Sequence, residues 1–231
     1  MAELKVLSAG AVKRGVAQIA AEFERESGNT VKVEFATGPE IRKRVAAGES
    51  ADVIVAPPAA MDEFQKLGKI VAGSRGFVGR SRMGVVVHAQ APTPALGDTE
   101  AFKRALLGAS AVVHNQASSG VYAAKLLEKL GLKDALGSKI VVVETGSAIM
   151  EYVAAHPPAA LGLAQISEVM VMVDKGCAVK LAAPLPEAIQ NVTSYDAAAA
   201  RSSRAPDAAR KLAENLSSEA ARKIFAATGI N

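Results

Sequence analysis

The sequence has 231 residues, half of them hydrophobic, and a formal net charge of +4 at neutral pH. This length supports one large or two small domains, each with a buried core. The basic residues are spread along the chain, which argues against a nucleic-acid-binding protein. One cysteine, Cys177, and three histidines provide neither an intrachain disulfide nor a Cys/His zinc cluster, so no metal site and no cofactor are expected. The longest apolar runs have the length of strands, so no membrane-spanning segment is predicted.

Short apolar strands alternate with helical patterns along the first eighty residues. The pattern predicts strands over 4–7, 31–35 and 52–55, and helices over 12–26, 41–47 and 60–67. Gly28, Gly48 and Gly68 stand where left-handed residues commonly end helices. Asp52, at the start of a buried strand, is expected to have a structural role in holding backbone N–H groups.

The alternation continues in the rest of the chain. It predicts strands over 82–88, 111–114, 140–143, 161–164 and 179–182, and helices over 100–107, 121–130, 148–155 and 206–228. Thr99 is the expected N-cap of the first of these helices. The segment 167–173 fits either a helix or a strand, and 191–195 is expected to be irregular. Strands that alternate with helices indicate an α/β fold with mainly parallel sheets, which bind ligands at the carboxyl ends of their strands.

Four predicted strands run into small-residue turns that each open a helix. These turns are Gly10-Ala11, Thr37-Gly38, Ser118-Ser119-Gly120 and Gly146-Ser147. Each presents backbone N–H groups at a helix N-terminus, where an anion binds without a cationic side chain. Ser118 and Thr37 are equally compatible with ordinary helix capping. Two turns in each half of the chain predict a two-lobed anion trap.

Several segments keep an order and spacing that are typical of one family. They are Val6–Val12, Phe35–Gly38, Ala46–Val53, Ser118–Ala123, Leu161–Leu163 and Ser218–Phe225. In these segments the chain resembles type II periplasmic solute-binding proteins, and among them the molybdate-binding branch. The resemblance implies two α/β lobes, residues 1–81 plus 190–231 and residues 82–189, with a ligand cleft between them. Hinges near 79–82 and 187–193 would let the lobes close on the ligand.

The resemblance also implies which residues contact the ligand. Carried over position by position, they are Gly10, Ala11, Thr37, Gly38, Ser118, Ser119, Gly146, Ser147 and Gln165. Three of these positions depart from the molybdate branch, since Ala11 and Gly38 stand in place of serines and Gln165 in place of a tyrosine. A dehydrated oxyanion needs several donors, so the three missing hydroxyls weaken the case for molybdate more than the case for an anion.

The implied function is the extracytoplasmic solute-binding component of an ABC importer. Such a protein captures a small anion, here a molybdate- or tungstate-like oxyanion, by hinge closure and passes it to a membrane permease. It would be a periplasmic or extracytoplasmic monomer whose signal peptide has been removed, without membrane insertion or nucleic-acid partners. No Ser/His/Asp or Cys/His arrangement is evident, so no enzyme activity is expected.

Two other functions fit the same residues. One is a binding protein for a small organic carboxylate, which the missing hydroxyls favour. Arg42 would grip such a ligand through two hydrogen bonds, and Gln165 would both donate and accept. The other is a cytosolic ligand-sensing domain of the same fold.

Overall fold

The computed structural model describes residues 1–231 and divides the chain into two units. Unit 1 contains residues 1–81 and 193–231, and unit 2 contains residues 82–192. The strands are β1 (Glu3–Ala9), β2 (Thr30–Ala36), β3 (Val53–Ala56), β4 (Gly76–His88), β5 (Ala111–Asn115), β6 (Ile140–Val143), β7 (Ala160–Gln165), β8 (Val179–Pro184) and β9 (Val192–Ala199). The helices are α1 (Lys13–Ser27), α2 (Gly38–Ala46), α3 (Pro58–Lys66), α4 (Thr99–Gly108), α5 (Ser118–Lys129), α6 (Lys133–Leu136), α7 (Gly146–Ala155), α8 (Ile166–Asp174), α9 (Pro206–Leu216) and α10 (Glu219–Ala226). The chain passes from one unit to the other inside β4 and inside β9.

Unit 1 is built on four strands in the order β2-β1-β3-β9. The first three are parallel, and β9 is antiparallel to β3. All four residues of β3 are buried, as expected for a strand covered on both faces. Helix α1 packs beside α9 and α10, and α2 packs beside α3. The apolar spacing of α1 explains its burial, because Val16, Ile19 and Phe23 share the face that enters the core.

A cluster of four charged side chains ties α2 to the edge of this sheet. Lys5 Nζ lies 2.7 Å from Glu49 Oε1 and 3.2 Å from Glu34 Oε1. Arg44, from the last turn of α2, pairs with both glutamates. Hydrogen bonds from Arg44 and Lys5 lower the pKa of Glu49 to about 2, and the same two cations lower the pKa of Glu34. The cluster therefore fixes α2, which begins at one of the expected ligand turns.

Unit 2 has a sheet with helices on both faces. Its strand order is β4-β7-β5-β6, and β8 pairs with β4. Strands β5, β6 and β7 are parallel, whereas β4 is antiparallel to both β7 and β8. One apolar cluster joins the sheet to α4, α5 and α6, and a second joins its other face to α7 and α8. Both units are thus α/β layers with mostly parallel strands, as the alternating pattern predicts.

Three local predictions are wrong. Asp98, not Thr99, caps α4, because its carboxylate accepts from the backbone N–H of Ala101 at 2.7 Å. Residues 192–195 of the segment expected to be irregular belong to β9, whose later residues 196–199 pair with β3, far away in the sequence. The C-terminal helical pattern is two helices, because Ser218 starts a new one by accepting from the N–H of Ala221.

The structure also decides the conformation of one ambiguous segment and the role of Asp52. The ambiguous segment after β7 is helical, as α8. Asp52 is structural, since it accepts hydrogen bonds from the backbone N–H of Lys5 at 2.7 Å and from the hydroxyl of Ser203 at 2.6 Å. None of the helices has both the length and the apolar character needed to cross a bilayer.

Candidate functional site

In unit 1, two of the expected ligand turns follow neighbouring strand ends. Strands β1 and β2 are parallel and end together, with Ala9 opposite Ala36. The turn Gly10-Ala11 continues from the first strand and Thr37-Gly38 from the second. All four turn residues are half-buried. The register therefore places both turns at the carboxyl edge of the parallel strands, where such sheets bind ligands.

The start of α1 offers backbone donors with a positive charge beside them. A 3₁₀ turn over Gly10–Val12 leads into α1, and no side chain caps either helical start. Lys13 and Arg14 occupy the first turn of α1, which contains no acidic residue. The first turn of α1 thus supplies no carboxylate of its own to the positive end of the helix dipole.

At the second turn, Thr37 acts as the N-cap of α2. Its hydroxyl oxygen accepts from the backbone N–H of Glu40 at 3.3 Å, and Pro39 takes an early helical position. The hydroxyl proton of Thr37 still allows donation to another group. Arg42, one turn further along, pairs with Glu63 on α3, with Nε and Oε2 3.3 Å apart. The structure thus ties Arg42 to a neighbouring helix, and the proposed grip on a carboxylate stays a prediction.

In unit 2, three parallel strands end side by side, and each leads into a helix. Asn115, at the end of β5, lies opposite Val143, at the end of β6, and β7 pairs with β5 on its other side. Helices α5, α7 and α8 start within three residues of these strand ends. The remaining expected ligand residues lie in these three starts: Ser118, Ser119, Gly146, Ser147 and Gln165.

Asn115 organises the start of α5. Its side-chain Oδ1 accepts from the backbone N–H groups of Ala117 and Gly120, both at 3.1 Å, and from the hydroxyl of Ser119 at 3.5 Å. Neither Ser118 nor Ser119 is the N-cap, which is Ala117. Gly120 is required here, because a β-carbon on this residue would lie 1.7 Å from the backbone oxygen of Asn115. The alternative interpretation of Ser118 as a simple cap is therefore wrong.

A carboxylate already lies at the start of α7. Glu168, in the first turn of α8, approaches Gly146 so closely that a β-carbon on Gly146 would stand 2.0 Å from Oε2. Thr145 caps α7 by accepting from the N–H of Ala148 at 3.3 Å, and its hydroxyl lies 3.1 Å from that of Ser147. A carboxyl group of the protein itself thus lies beside the start of α7.

The part of β4 that belongs to unit 2 begins at this edge. Met83 pairs with Gln165, the last residue of β7, which is 3% exposed. Arg82 precedes Met83 and forms an ion pair with Glu187 through Nη2. Its Nε is buried and has no hydrogen-bond partner. A cationic side chain therefore lies one residue beyond the end of β7.

Three residues of this edge were missed by the sequence reasoning: Asn115, Glu168 and Arg82. An Asn that ends a strand five residues before a Gly is the local signal that could have indicated Asn115. The close approach of Glu168 to Gly146 joins two helices that are distant in sequence, so no local pattern reveals it. No group of three or more His, Cys, Asp or Glu side chains is arranged to hold a metal ion.

The profile of one protein family covers nearly the whole chain. The model for bacterial extracellular solute-binding proteins matches residues 4–231. The chain belongs to this family. The family is one of solute-binding proteins, which agrees with the resemblance to type II periplasmic binding proteins.

Individual relatives of this solute-binding protein differ in what they bind or convert. Aconitate isomerase from a Pseudomonas species is 29% identical over 237 residues, covering 98% of this chain and 87% of the relative. The periplasmic molybdate-binding protein of Azotobacter vinelandii superposes with a TM-score of 0.79 at 19% identity, covering 99% of this chain and 98% of that one. A sulfate-binding protein from Mycobacterium tuberculosis superposes with a TM-score of 0.78 at 15% identity, covering 100% of this chain and 86% of that one. The superpositions show the shared fold.

Proposed function

We propose that this solute-binding protein captures a small organic anion that carries carboxylate groups. The helix starts at the carboxyl edges of units 1 and 2 supply the donors, and the ligand is held when the two units close as lobes of a trap. In this proposal β4 and β9, which carry the chain between the units, contain the hinges. The protein works outside the cytoplasm and delivers its ligand to an ABC permease in the membrane.

Donors rather than catalytic groups dominate both edges. In unit 1 the uncapped N–H groups of Gly10–Val12 stand beside Lys13 and Arg14. In unit 2 the start of α5 presents Ser118, Ser119 and its first-turn N–H groups. Helix N-termini and hydroxyls of this kind bind negatively charged groups of different shapes. They support an anion as the ligand in either unit.

The observation that carries the choice of ligand class is the position of Glu168 against Gly146. A carboxylate at the start of α7 repels a second negative charge placed there. A tetrahedral oxyanion held equally by all four turns would meet that repulsion, and it would also lack the hydroxyls missing at Ala11 and Gly38. An organic acid spreads its charge over separate carboxylate groups, so an uncharged part can lie beside Glu168.

The relatives point in the same direction. A relative that is named for an organic tricarboxylate is 29% identical to this chain, whereas the superposed molybdate-binding protein is 19% identical. This difference supports a carboxylate over an oxyanion as the ligand. A molybdate- or tungstate-like oxyanion is the competing ligand, and the melting experiment distinguishes it from a carboxylate.

Thermal melting with a panel of anions tests the proposal. The panel contains trans-aconitate, citrate, succinate, molybdate, tungstate, sulfate and phosphate. A ligand at about 100 times its Kd adds about 2.7 kcal/mol of stability, which raises Tm by several degrees in a chain of this size. We expect that rise with a carboxylate. A rise with molybdate or tungstate alone would overturn the proposed ligand class, and no rise with any anion would overturn the anion trap.

A second candidate function is isomerisation of the bound carboxylate, favoured by the relative named aconitate isomerase. Glu168 is a carboxylate at the edge of the candidate site, and a carboxylate suits proton transfer as a general acid or base. Proton NMR of cis-aconitate mixed with the protein checks this function directly. New trans-aconitate signals that disappear in Glu168→Gln would support it, and an unchanged spectrum with bound ligand would leave solute capture alone.

A further inference from the structure

Two buried side-chain nitrogens in unit 2 have no hydrogen-bond partner. They are Arg82 Nε and Asn115 Nδ2. Buried polar groups almost always have hydrogen-bond partners. A buried donor or acceptor without a partner has lost its hydrogen bonds to water and gained none in the fold, which costs free energy. An acceptor group of a ligand at this candidate edge would satisfy such a donor. Both nitrogens are N–H donors, so the missing partner is an acceptor.

The orientation of the Asn115 amide is set by its other hydrogen bonds. Oδ1 accepts from the backbone N–H groups of Ala117 and Gly120, so the opposite corner of the amide must be the NH₂ group. Nδ2 is two bonds from Oδ1 and therefore also lies at the start of α5. Asn115 is 2% exposed, so bulk water does not replace the missing acceptor. The start of α5 and the unpaired donor Asn115 Nδ2 thus lie side by side.

Arg82 lies at the same edge of the sheet. Gly84 pairs with Ala164 in β7, and β7 is the neighbour of β5. Arg82 is two residues beyond Gly84 in the direction of the edge, past the end of β7. Glu187 engages Nη2 and leaves Nε open. A guanidinium binds carboxylates through adjacent N–H groups, so the open Nε is suited to a carboxylate oxygen.

We propose that Asn115 Nδ2 and Arg82 Nε are the side-chain donors by which unit 2 recognises carboxylate oxygens of its ligand. This inference rests on the proposed function, because it assigns the recognition of the carboxylate to two named residues. Asn115 acts with the N–H groups and hydroxyls at the start of α5. Arg82 supplies a cationic donor from β4, whereas the start of α7 is already occupied by Glu168.

Asn115→Asp is the sharpest test because it changes only the open corner of the side chain. Aspartate keeps the oxygen that accepts from Ala117 and Gly120, and it replaces the donor with a negatively charged acceptor. We expect its Kd for trans-aconitate to rise about 10- to 100-fold, with Tm of the free protein close to that of the parent. Gln116→Glu is the matched control, since it adds the same charge at the adjacent exposed position.

A second pair of variants tests Arg82. Arg82→Gln removes the cation and its Nε donor, and we expect about a tenfold weaker Kd for trans-aconitate. Glu187→Gln removes the ion-pair partner but keeps the guanidinium, so its Kd should stay within about twofold of the parent. An equal loss in both variants would mean that the ion pair, and not the open donor, supports binding.

The NH₂ signal of Asn115 gives a direct readout. In a ¹⁵N-labelled sample this signal is assigned by its absence in Asn115→Asp, and trans-aconitate should shift it. One outcome overturns this inference but leaves the proposed function intact: the parent protein binds trans-aconitate, Asn115→Asp binds it equally well, and the NH₂ signal does not shift. Parent protein that binds none of trans-aconitate, citrate or succinate overturns both.

Discussion

A β-carbon on residue 120 would stand only 1.7 Å from the backbone oxygen of Asn115. The first turn of α5 can therefore pack against the end of β5 only if residue 120 is a glycine. The side chain of Asn115 completes this junction through its hydrogen bond to the N–H of Gly120. The candidate donors of unit 2 therefore depend on a rigid strand-to-helix joint.

Replacing this glycine should damage the fold. In Gly120→Ala the new methyl group meets backbone rather than a flexible side chain, so we expect a loss of more than about 3 kcal/mol in the free energy of unfolding. Gly108→Ala is the control, because no atom lies within 4 Å of a β-carbon there, and it should be neutral or slightly stabilising. Urea unfolding measures both. Equal stability of the two variants would contradict the close approach at Gly120.

The contact between Gly146 and Glu168 predicts that the effect of Gly146→Ala on the free energy of unfolding depends on the residue at position 168. Gly146→Ala in the parent should destabilise by about 1–3 kcal/mol, because the methyl group displaces the Glu168 carboxylate. In a Glu168→Ala background the obstacle is gone, and alanine in a helical first turn should be neutral or stabilising. A double-mutant cycle by urea unfolding gives the coupling energy. Additive effects of the two substitutions would show that the residues do not touch.

Glu168 should also set ligand selectivity. Glu168→Gln removes a negative charge from the start of α7, so the ratio of Kd for molybdate to Kd for trans-aconitate should fall about tenfold, or about 1.4 kcal/mol. Glu144→Gln is the matched control, since Glu144 is exposed and follows the neighbouring strand β6. Titration calorimetry of both variants measures the ratio. An unchanged ratio in Glu168→Gln would remove the physical reason for preferring a carboxylate.

The charged cluster on α2 predicts a loss of stability in acid. The pKa of Glu49 is lowered from 4.5 to about 2 by hydrogen bonds from Arg44 and Lys5. A carboxyl group with a lower pKa in the folded state stabilises the fold above its unfolded pKa, and that contribution disappears as the pH falls from about 4.5 towards 2. Glu49→Gln should flatten the stability profile in this window, whereas Glu26→Gln, at an exposed position of α1, should not. Parallel profiles for all three proteins would contradict the ion pairs.

The order of strands and helices was predictable from sequence because it depends on local periodicity. Strands β1 and β2 follow from apolar runs that stop at small residues, although both extend past the predicted ends at 7 and 35 to Ala9 and Ala36. The turns after them are visible in the sequence. Strand β9 was not predictable, because it depends on nonlocal pairing: its residues 196–199 pair with β3, more than a hundred positions away. Nonlocal pairing overrides weak local preference.

The candidate site was predictable only in part for the same reason. The small-residue turns at Ser118 and Gly146 are local features and were found, although α5 and α7 begin at these residues and not at the predicted positions 121 and 148. The roles of Glu168 and Arg82 depend on which helices and strands come together at one edge of the sheet. Local sequence patterns do not reveal contacts between elements that are distant in the chain. Asn115 caps a helix from inside a strand, outside the usual N-cap position, so ordinary capping rules missed it.

Titration calorimetry of the parent protein with trans-aconitate and, separately, with molybdate tests the proposed ligand class. We expect saturable binding of trans-aconitate at one site per chain, and a molybdate affinity at least tenfold weaker. Saturable one-site binding of molybdate in a protein that gives no heat with trans-aconitate, citrate or succinate would contradict it.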